Sequence, residues 1–356
     1  VGSPPTRGLE YAKSAHRGEP QLPLEITEMR QPPSRYRLIS LLFGAVLWSG
    51  PAASAPSLAE AIGKADAKYL GAEEVVAKGD APRIEGGSGE EETEPTDQEI
   101  AQGNVRATLT YKESKTEEGE TERVPVVTVF ADGEQVAQIE GQSIGSFDPP
   151  VSVQIAEVDP ANASPEVVVS FYTGGAHCCS DTKLITSYKD GSGWQTVEIG
   201  QFDGGPLLAT DVAGDGRYVF ETRDNAFLYA FGCYACSTAP LRILAVEDGE
   251  VKTVSGDPAY RPVHEAYMGN IIINAVPEED VNGFLAGYVG EKSLLGEGKE
   301  AWQLMLAYYD RSSDWGLDVC DQPLDAEGAC PGTTERLTFP EALERMLNEN
   351  GYKVEK

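Results

Sequence analysis

The chain has 356 residues, and 40% of them are hydrophobic, which suffices for a buried core and leaves room for two domains. Its formal net charge is −30 at pH 7, from 58 acidic and 28 basic side chains. So large an acidic excess repels phosphate groups and anionic lipids. We therefore expect no binding of nucleic acid.

The N-terminal part of the chain carries the pattern of an export signal. Met29 opens a basic stretch, an apolar run follows at residues 38–48, and small residues near Ala55 offer a cleavage site. The apolar run is shorter than the roughly 20 residues that a spanning helix needs. We predict that residues 1–28 are not translated and that residues 29–55 form a signal peptide. The mature protein is then periplasmic or secreted, with no stable membrane insertion.

Residues 56–103 are predicted to combine a short helix with an acidic, disordered linker. Alanine and apolar residues at helical spacing follow Ser57, which can cap such a helix. From Gly79 to Gly103 the composition shifts to Gly, Glu, Thr, Pro and Asp. A segment of this kind has too little apolar surface to order itself.

Three Asp-Gly pairs indicate an internal repeat within residues 104–256. The pairs begin at Asp132, Asp190 and Asp248, at a constant spacing of 58 residues. Each follows an apolar, β-branched run and precedes a shorter one, which predicts a hairpin with a tight turn. An earlier strand completes each unit, so we predict three tandem antiparallel β-meander repeats that are similar to propeller blades. Because a closed propeller needs at least four blades, we expect an open array, a sandwich, or closure by the C-terminal segment.

Residues 257–356 follow a helical pattern instead. Apolar side chains at helical spacing predict helices over residues 278–290 and 300–309. Pro340 is placed to open a third helix that ends near Gly351. We expect this segment to pack on the β domain, and the fold class is then α+β, mainly β.

Three segments resemble a group of exported bacterial proteins related to the FG-GAP (VCBS-type) repeats of β-propellers. They are Tyr172–Cys179 with its Gly-Gly-Ala-His-Cys-Cys sequence, Asp211–Arg217, and Phe227–Cys236. The resemblance covers about residues 104–350. It implies a β fold and a role in the cell envelope.

The segment Asp211–Arg217 is similar to the calcium loop of such repeats, although Ala213 stands where a second aspartate is expected. Calcium takes six to eight oxygen ligands, and neither loop of this chain is complete by itself. One interpretation is a structural Ca²⁺ ion, and the other is a polar β-turn that uses Asp and Gly for its backbone. The candidate calcium ligands are Asp211 and Asp215 in this loop, and Glu157, Asp159, Asn162 and Glu166 in the preceding repeat.

All cysteines follow the predicted signal peptide. An even number of cysteines in an exported chain indicates disulfides. Cys179 and Cys233 lie 54 residues apart, as do Glu157 and Asp211, so bridges between neighbouring repeats are predicted. A separate small loop closed by Cys320 and Cys330 would complete the set. The predicted disulfide cysteines are Cys178, Cys179, Cys233, Cys236, Cys320 and Cys330.

Two histidines follow the signal. His177 lies beside Cys178 and can join Cys178, Cys179, Cys233 and Cys236 in a soft-metal site or a thiol-redox site. His264, beside Arg261 and Glu265, is interpreted as a surface residue.

The sequence contains no phosphate-binding loop, dinucleotide fingerprint or His-Glu-x-x-His motif, which favours a non-enzyme. The predicted function is an exported, disulfide-stabilised β-repeat module that binds an envelope protein or a glycan, with calcium as a structural cofactor in one interpretation. The alternative is an envelope metal-binding or thiol-redox protein.

Overall fold

A computed structural model gives the structure of this chain. It describes residues 55–72, 81–87, 97–115, 119, 121–144, 149–175, 178–277, 279–322, 325 and 329–354. For Ser114 and Cys178 the description covers the backbone alone. The segment 1–28 and the predicted signal peptide up to residue 54 lie outside the described residues.

The chain divides into two compact units. The larger unit comprises Leu58–Val319 and Arg336–Lys356, and the smaller one comprises residues 1–57 and Cys320–Glu335. Over the described part of the chain, no helix has both the length and the apolar character that a membrane crossing requires.

The larger unit contains three antiparallel sheets. The first sheet consists of β2 (Gln98–Gln102), β3 (Val105–Lys115), β4 (Thr121–Ala131) and β5 (Glu134–Glu140). The central sheet consists of β1 (Arg83–Gly86), β6 (Val151–Ala156), β7 (Glu166–Tyr172), β8 (Cys178–Ser187) and β9 (Trp194–Asp203). The third sheet consists of β10 (Ala209–Thr210), β11 (Val219–Arg223), β12 (Leu241–Glu247) and β13 (Glu250–Thr253). In each sheet the strands lie side by side in the order given.

Each sheet contains one of the predicted Asp-Gly hairpins, between its last two strands. Asp132–Gly133 joins β4 to β5, Asp190–Gly191 joins β8 to β9, and Asp248–Gly249 joins β12 to β13. Asp132 and Asp248 adopt φ angles of 50° and 54°, and the glycines after them also have positive φ. Two successive residues with positive φ form the tight turn whose twist matches that of the strands. The hairpins, the antiparallel pairing and the mainly β character are confirmed.

The prediction of a disordered linker before residue 104 is wrong for two stretches. β1 pairs with β6, and β2 pairs with β3. Ile84 and Ile100 are partly buried against the core between the first and central sheets. The composition of these stretches did not predict the two strands, because a strand at a sheet edge gains backbone hydrogen bonds whatever its side chains are.

The central sheet is buried on both faces. Val167 and Val169 of β7 pack against the first sheet, whereas Val168 between them packs against the third sheet. Successive side chains of a strand point to opposite faces, so a strand covered on both sides is a continuous apolar run. The three sheets are therefore stacked face to face in an open array of layers.

Five α-helices occur in the described residues, most of them after the third sheet. They are α1 (Leu58–Ala65), α2 (Arg261–Asn274), α3 (Val281–Leu294), α4 (Gly298–Tyr308) and α5 (Phe339–Glu349). Val263 of α2 packs with Val219 and Ile243 on the outer face of the third sheet. The C-terminal helices are confirmed, and α3 extends four residues beyond its predicted end.

Helix α3 is buried on all sides because glycines let it approach the backbone of residues 236–238. A Cβ atom on Gly287 would lie 1.9 Å from the carbonyl oxygen of Thr238, and one on Gly283 would lie 2.7 Å from that of Cys236. Only a residue without a side chain fits this approach.

In the smaller unit Cys320 and Cys330 form a disulfide, as predicted. They lie on or near two short strands that pair with each other, β14 (Asp318–Cys320) and β15 (Thr334–Arg336).

A buried ionic network joins α3 to the segment after α1. The ammonium group of Lys292 donates to Asp66 at 2.5 Å and also to Glu297. Asp66 accepts a second hydrogen bond, from the Tyr288 hydroxyl at 2.6 Å, and Glu297 accepts one from the Tyr69 hydroxyl at 2.7 Å. Lys292 and Asp66 have 3% and 1% of their side chains exposed, so each charge depends on the others.

Acid should weaken this network through Glu297. Burial raises the pKa of Glu297, but hydrogen bonds from Lys292, Lys68 and Tyr69 outweigh it and lower the pKa from 4.5 to about 2. Because the pKa of Glu297 is lower in the folded state, the ionised group stabilises the fold fully at pH values above its unfolded-state pKa. This stabilisation is lost as the pH falls from 4.5 towards 2. Over that interval we expect the native protein to lose about 2 kcal/mol more than Glu297→Gln. Urea unfolding measured at a series of pH values tests this, and parallel pH profiles would contradict it.

Candidate functional site

The first predicted calcium loop is a polar turn held by its own backbone. Asp211 accepts hydrogen bonds from the backbone N–H groups of Asp215 and Gly216, both at 3.0 Å. Asp215 instead pairs with Arg217 at 2.7 Å. The arrangement is that of a turn using Asp and Gly for backbone reasons, and calcium at this loop stays a prediction.

The loop of the preceding repeat is arranged in a similar way around Glu166, which is fully buried. One carboxylate oxygen of Glu166 accepts the N–H groups of Val158 and Asp159, and the other accepts from Asn162 at 2.8 Å and Thr186 at 3.2 Å. Burial raises the pKa of Glu166 to about 7, and the hydrogen bonds oppose that rise.

Asp159 in the same loop reaches the third sheet. Its carboxylate accepts the backbone N–H groups of Asp248 at 3.0 Å and Gly249 at 2.7 Å. The aspartate thus fixes the Asp-Gly hairpin of the third sheet. Glu157 follows the end of β6, and much of the residue is exposed. Partial burial of its carboxyl group raises its pKa, and the negative charge of Asp159 raises it further.

The predicted bridges between repeats are wrong for Cys233 and Cys236. These two cysteines are bonded to each other within one turn, with their Cα atoms 4.9 Å apart. Cys179 is also disulfide-bonded. The equal spacing of Cys179 and Cys233 did not determine the disulfide pairing. Cys236 lies three residues after Cys233 and is within bonding reach of it however the sheets are arranged.

His177 and the side chain of Cys178 lie outside the described residues, so the soft-metal alternative stays a prediction. Among the described Cys, His, Asp and Glu side chains, the one cluster of three potential ligands is Cys320, Asp321 and Cys330, and its two cysteines form a disulfide.

His264 is not a surface residue, because only 1% of it is exposed. It belongs to a buried stripe of α2 with Met268 and Ile271. Its Nδ1 atom lies 2.6 Å from Glu291, and its Nε2 atom lies 2.9 Å from the carbonyl oxygen of Ser255. The charged neighbours Arg261 and Glu265 pair with each other and suggested exposure, whereas the spacing of 264, 268 and 271 is the signal of a buried face.

A cleft of about 340 Å³ opens at one end of the central sheet, beside the described part of the Tyr172–Cys179 segment. Ser152, Ser170 and Glu85 lie directly opposite one another on β6, β7 and β1, and Tyr172 lies opposite Ser180 one step further along. Residues opposite one another, or two apart on a strand, share a face of the sheet. The cleft is thus lined by a ladder of hydroxyl groups on the face that also packs against the third sheet.

Most of these hydroxyl groups have protein partners. Ser170 lies 3.0 Å from the hydroxyl of Thr182 and accepts the backbone N–H of Leu207 at 3.2 Å. Ser180 donates to the carbonyl oxygen of Gly204 at 3.2 Å. These bonds attach the Gly204–Leu207 stretch to the sheet and make it one wall of the cleft.

Ser152 differs from the other hydroxyls. Only 2% of the residue is exposed, and its Oγ atom has no hydrogen-bond partner within the described protein. A buried polar atom without a partner costs roughly 1–3 kcal/mol, so its presence needs an explanation. Since Ser152 lines the cleft, a bound molecule is the natural partner.

The remaining walls are apolar or only weakly charged. Pro150, Pro206 and Tyr172 contribute apolar surface, and the Tyr172 hydroxyl is bound to the carbonyl oxygen of Gly175. Glu85 is the one charged residue among the described lining residues, and it lies 3.6 Å from Arg83. The cleft therefore offers hydroxyl groups and apolar walls, and its described lining residues include no cation that would attract an anionic ligand.

Motif searching missed this site because isolated serines in strands match no pattern. A signal exists nonetheless. Val-Ser-Val-Gln-Ile at residues 151–155 and Val-Val-Val-Ser-Phe at 167–171 place a polar side chain inside runs that are otherwise buried. A hydroxyl group at a core position requires a partner, and that requirement marks both strands.

The comparisons with known proteins place the chain in a family. A family model described as the sll0997 C-terminal domain matches residues 264–351. The "Probable thylakoid lumen protein sll0997" of Synechocystis is 38% identical over 257 residues, which cover 71% of this chain and 75% of that protein. The "Uncharacterized protein y4bJ" of Sinorhizobium fredii is 36% identical over 241 residues, which cover 66% of this chain but only 38% of that protein. No solved structure matches. With 38% identity over three quarters of the cyanobacterial relative, this chain belongs to the family of the protein sll0997.

Proposed function

We propose that the protein is an exported binding module that takes a neutral, hydroxyl-bearing ligand, a sugar ring, into the hydroxyl-lined cleft. The observation that carries this proposal is the buried Ser152 hydroxyl, which lines the cleft and has no hydrogen-bond partner in the described part of the chain. A sugar offers both hydroxyl groups for Ser152 and apolar C–H faces for Tyr172 and the prolines. The volume of about 340 Å³ is at the lower end of the roughly 300–1,000 Å³ of small-molecule sites, and it accommodates one ring.

Export is supported by two observations. The relative sll0997 carries the name of a lumen protein, and disulfides such as Cys233–Cys236 persist in oxidising compartments. For this chain we propose a periplasmic or secreted location.

We also propose that the three sheets are blade-like repeats of the FG-GAP type. Each sheet contains four antiparallel strands in chain order, with an Asp-Gly hairpin between the last two. Structural calcium in the loops at Glu166 and Asp211 is part of the same hypothesis.

Thiol exchange at Cys233 and Cys236 is the alternative function. One contact favours it, since the N–H of Cys236 lies 3.1 Å from the Cys233 sulfur and would stabilise a thiolate after reduction. Tyr234, between the two cysteines, is bound to the carboxylate of Asp203, and that negative charge opposes thiolate formation. Ligand binding in the cleft is therefore the better-supported function.

Two variants test the cleft directly. Ser152→Ala removes a buried hydroxyl that has no partner among the described residues, so we expect equal or higher stability but at least fivefold weaker binding. Gly205→Trp should abolish binding by filling the cleft, because a Cβ atom at Gly205 meets no atom within 4 Å and the fold tolerates the change. Calorimetric titration with a panel of neutral mono- to tetrasaccharides measures both effects.

The matched control is Gly71→Trp, since the Cβ position of Gly71 is equally open and Gly71 does not line the cleft. This variant should bind as the native protein does. The proposal fails if no sugar of the panel binds, or if binding survives both Ser152→Ala and Gly205→Trp.

A further inference from the structure

An exposed pair of aromatic residues lies outside the core of the larger unit. Tyr229 is 43% exposed and Trp315 is 48% exposed, although both belong to residue types that usually bury much of their surface. The indole N–H of Trp315 donates to the carbonyl oxygen of Tyr229 at 2.8 Å. The Trp315 side chain is thus bound to the main chain of Tyr229 across 86 positions of sequence. We call the two exposed aromatic side chains the aromatic platform.

The backbone of the platform is strained and is held by hydrogen bonds. Tyr229 has a φ of 60°, in the left-handed region that a large side chain rarely adopts. The backbone N–H of Tyr229 donates to the Ser237 hydroxyl at 3.2 Å, and its carbonyl oxygen accepts from Trp315. Both backbone polar groups of Tyr229 are therefore paired with side chains. A Cβ atom on Gly316 would lie 1.8 Å from the carbonyl oxygen of Ala230, so the turn after Trp315 fits tightly on the loop. Strain of this kind persists where surrounding contacts impose it, and it is concentrated at functional sites.

The platform is connected to the cleft through Tyr234. The rings of Tyr229 and Tyr234 lie 5.6 Å apart between centroids, and Tyr234 lies within the Cys233–Cys236 disulfide turn. The hydroxyl group of Tyr234 donates to Asp203, the residue directly before Gly204 in the wall of the cleft. A chain of contacts therefore connects the wall of the cleft, through Asp203, Tyr234 and Tyr229, to Trp315.

We infer that the aromatic platform binds further rings of the same sugar chain whose first ring occupies the cleft, so that the ligand is an oligosaccharide. This inference rests on the proposed function. The C–H faces of a sugar ring stack on aromatic rings, and an aromatic residue held in place loses little entropy on binding. No Lys or Arg is among the described residues that form the cleft lining or the platform, which favours a neutral glycan over an anionic one.

The test compares chain lengths. For the native protein we expect tetrasaccharides of the panel to bind at least tenfold more tightly than the matching monosaccharide. Tyr229→Asn removes the ring while supplying a residue that tolerates positive φ, so the fold is retained. We expect this variant and Trp315→Ala to bind tetrasaccharide only as tightly as monosaccharide, with monosaccharide affinity unchanged. Tyr188→Ala is the matched control, since Tyr188 is 44% exposed and lies at another hairpin.

Tryptophan fluorescence gives a second readout, because the emission of exposed Trp315 should shift to shorter wavelength with tetrasaccharide and not with monosaccharide. If Ser152→Ala weakens sugar binding but Tyr229→Asn and Trp315→Ala keep the preference for longer chains, the platform inference is overturned and the cleft function stands. An equal effect of Tyr188→Ala also overturns it. If the native protein binds no sugar, the proposed function falls first.

Discussion

Replacement of Lys292 by methionine is expected to lower the free energy of unfolding by about 3–5 kcal/mol. The ammonium group of Lys292 neutralises Asp66, which has 1% of its side chain exposed. Methionine has a similar length and fills the space, but it leaves the Asp66 carboxylate buried, with the Tyr288 hydroxyl as its one remaining side-chain partner among the described residues. The cost comes from the uncompensated charge rather than from lost packing.

Urea denaturation followed by circular dichroism measures this effect. Lys252→Met is the matched control, because Lys252 pairs with Glu247 at the surface with about half of each side chain exposed or more. Exposed pairs contribute roughly 0–1 kcal/mol, so this variant should resemble the native protein. The double variant Asp66→Asn/Lys292→Met should recover part of the loss. Equal stabilities of Lys292→Met and Lys252→Met would show that the buried network does not stabilise the fold.

Replacement of Glu291 by leucine is expected to cost about 3 kcal/mol. One oxygen of this fully buried side chain lies 2.6 Å from His264, and the other accepts the N–H of Leu241 at 2.8 Å. Leucine would leave both the imidazole nitrogen and the first N–H group of β12 without a partner. Glu291 is thus the polar link between α2, α3 and the third sheet.

The isosteric variant Glu291→Gln separates hydrogen bonding from charge. Since His264 Nε2 faces the carbonyl oxygen of Ser255 and must donate to it, the Nδ1 atom can accept from a glutamine amide while the amide oxygen accepts from Leu241. All partners are then satisfied, and we expect a loss below about 1 kcal/mol. Thermal unfolding of both variants decides the matter. A loss from glutamine as large as that from leucine would mean that the pair requires its charges.

Local sequence patterns predicted the strands and helices well where each element carries its own signal. The Asp-Gly pairs identified three hairpins because a glycine with positive φ is a local property of each turn. Pro340 marked the start of α5 because proline fits the first turn of a helix. Strand β1 was missed, since its order comes from pairing with β6 rather than from Arg83–Gly86 themselves.

The candidate site was far less predictable. Sequence analysis singled out carboxylates and cysteines, whereas the structure uses Asp159 and Glu166 to bind backbone N–H groups of turns. Ser152 belongs to no sequence motif. Its hydroxyl is notable because it is buried without a hydrogen-bond partner among the described residues, which is a property of the fold. A sequence does not show which buried polar groups lack partners.

The sequence by itself determined the antiparallel, mainly β character, the three hairpins, the C-terminal helices and the Cys320–Cys330 loop, because each depends on residues close together in the chain. Tertiary structure alone decided that the central sheet is covered on both faces and that His264 is buried against Glu291. It also brought Ser152, Ser170 and Ser180 to one cleft and Trp315 to Tyr229. These contacts join residues distant in sequence, and they are selected by the burial and hydrogen bonding of the whole fold rather than by any local pattern.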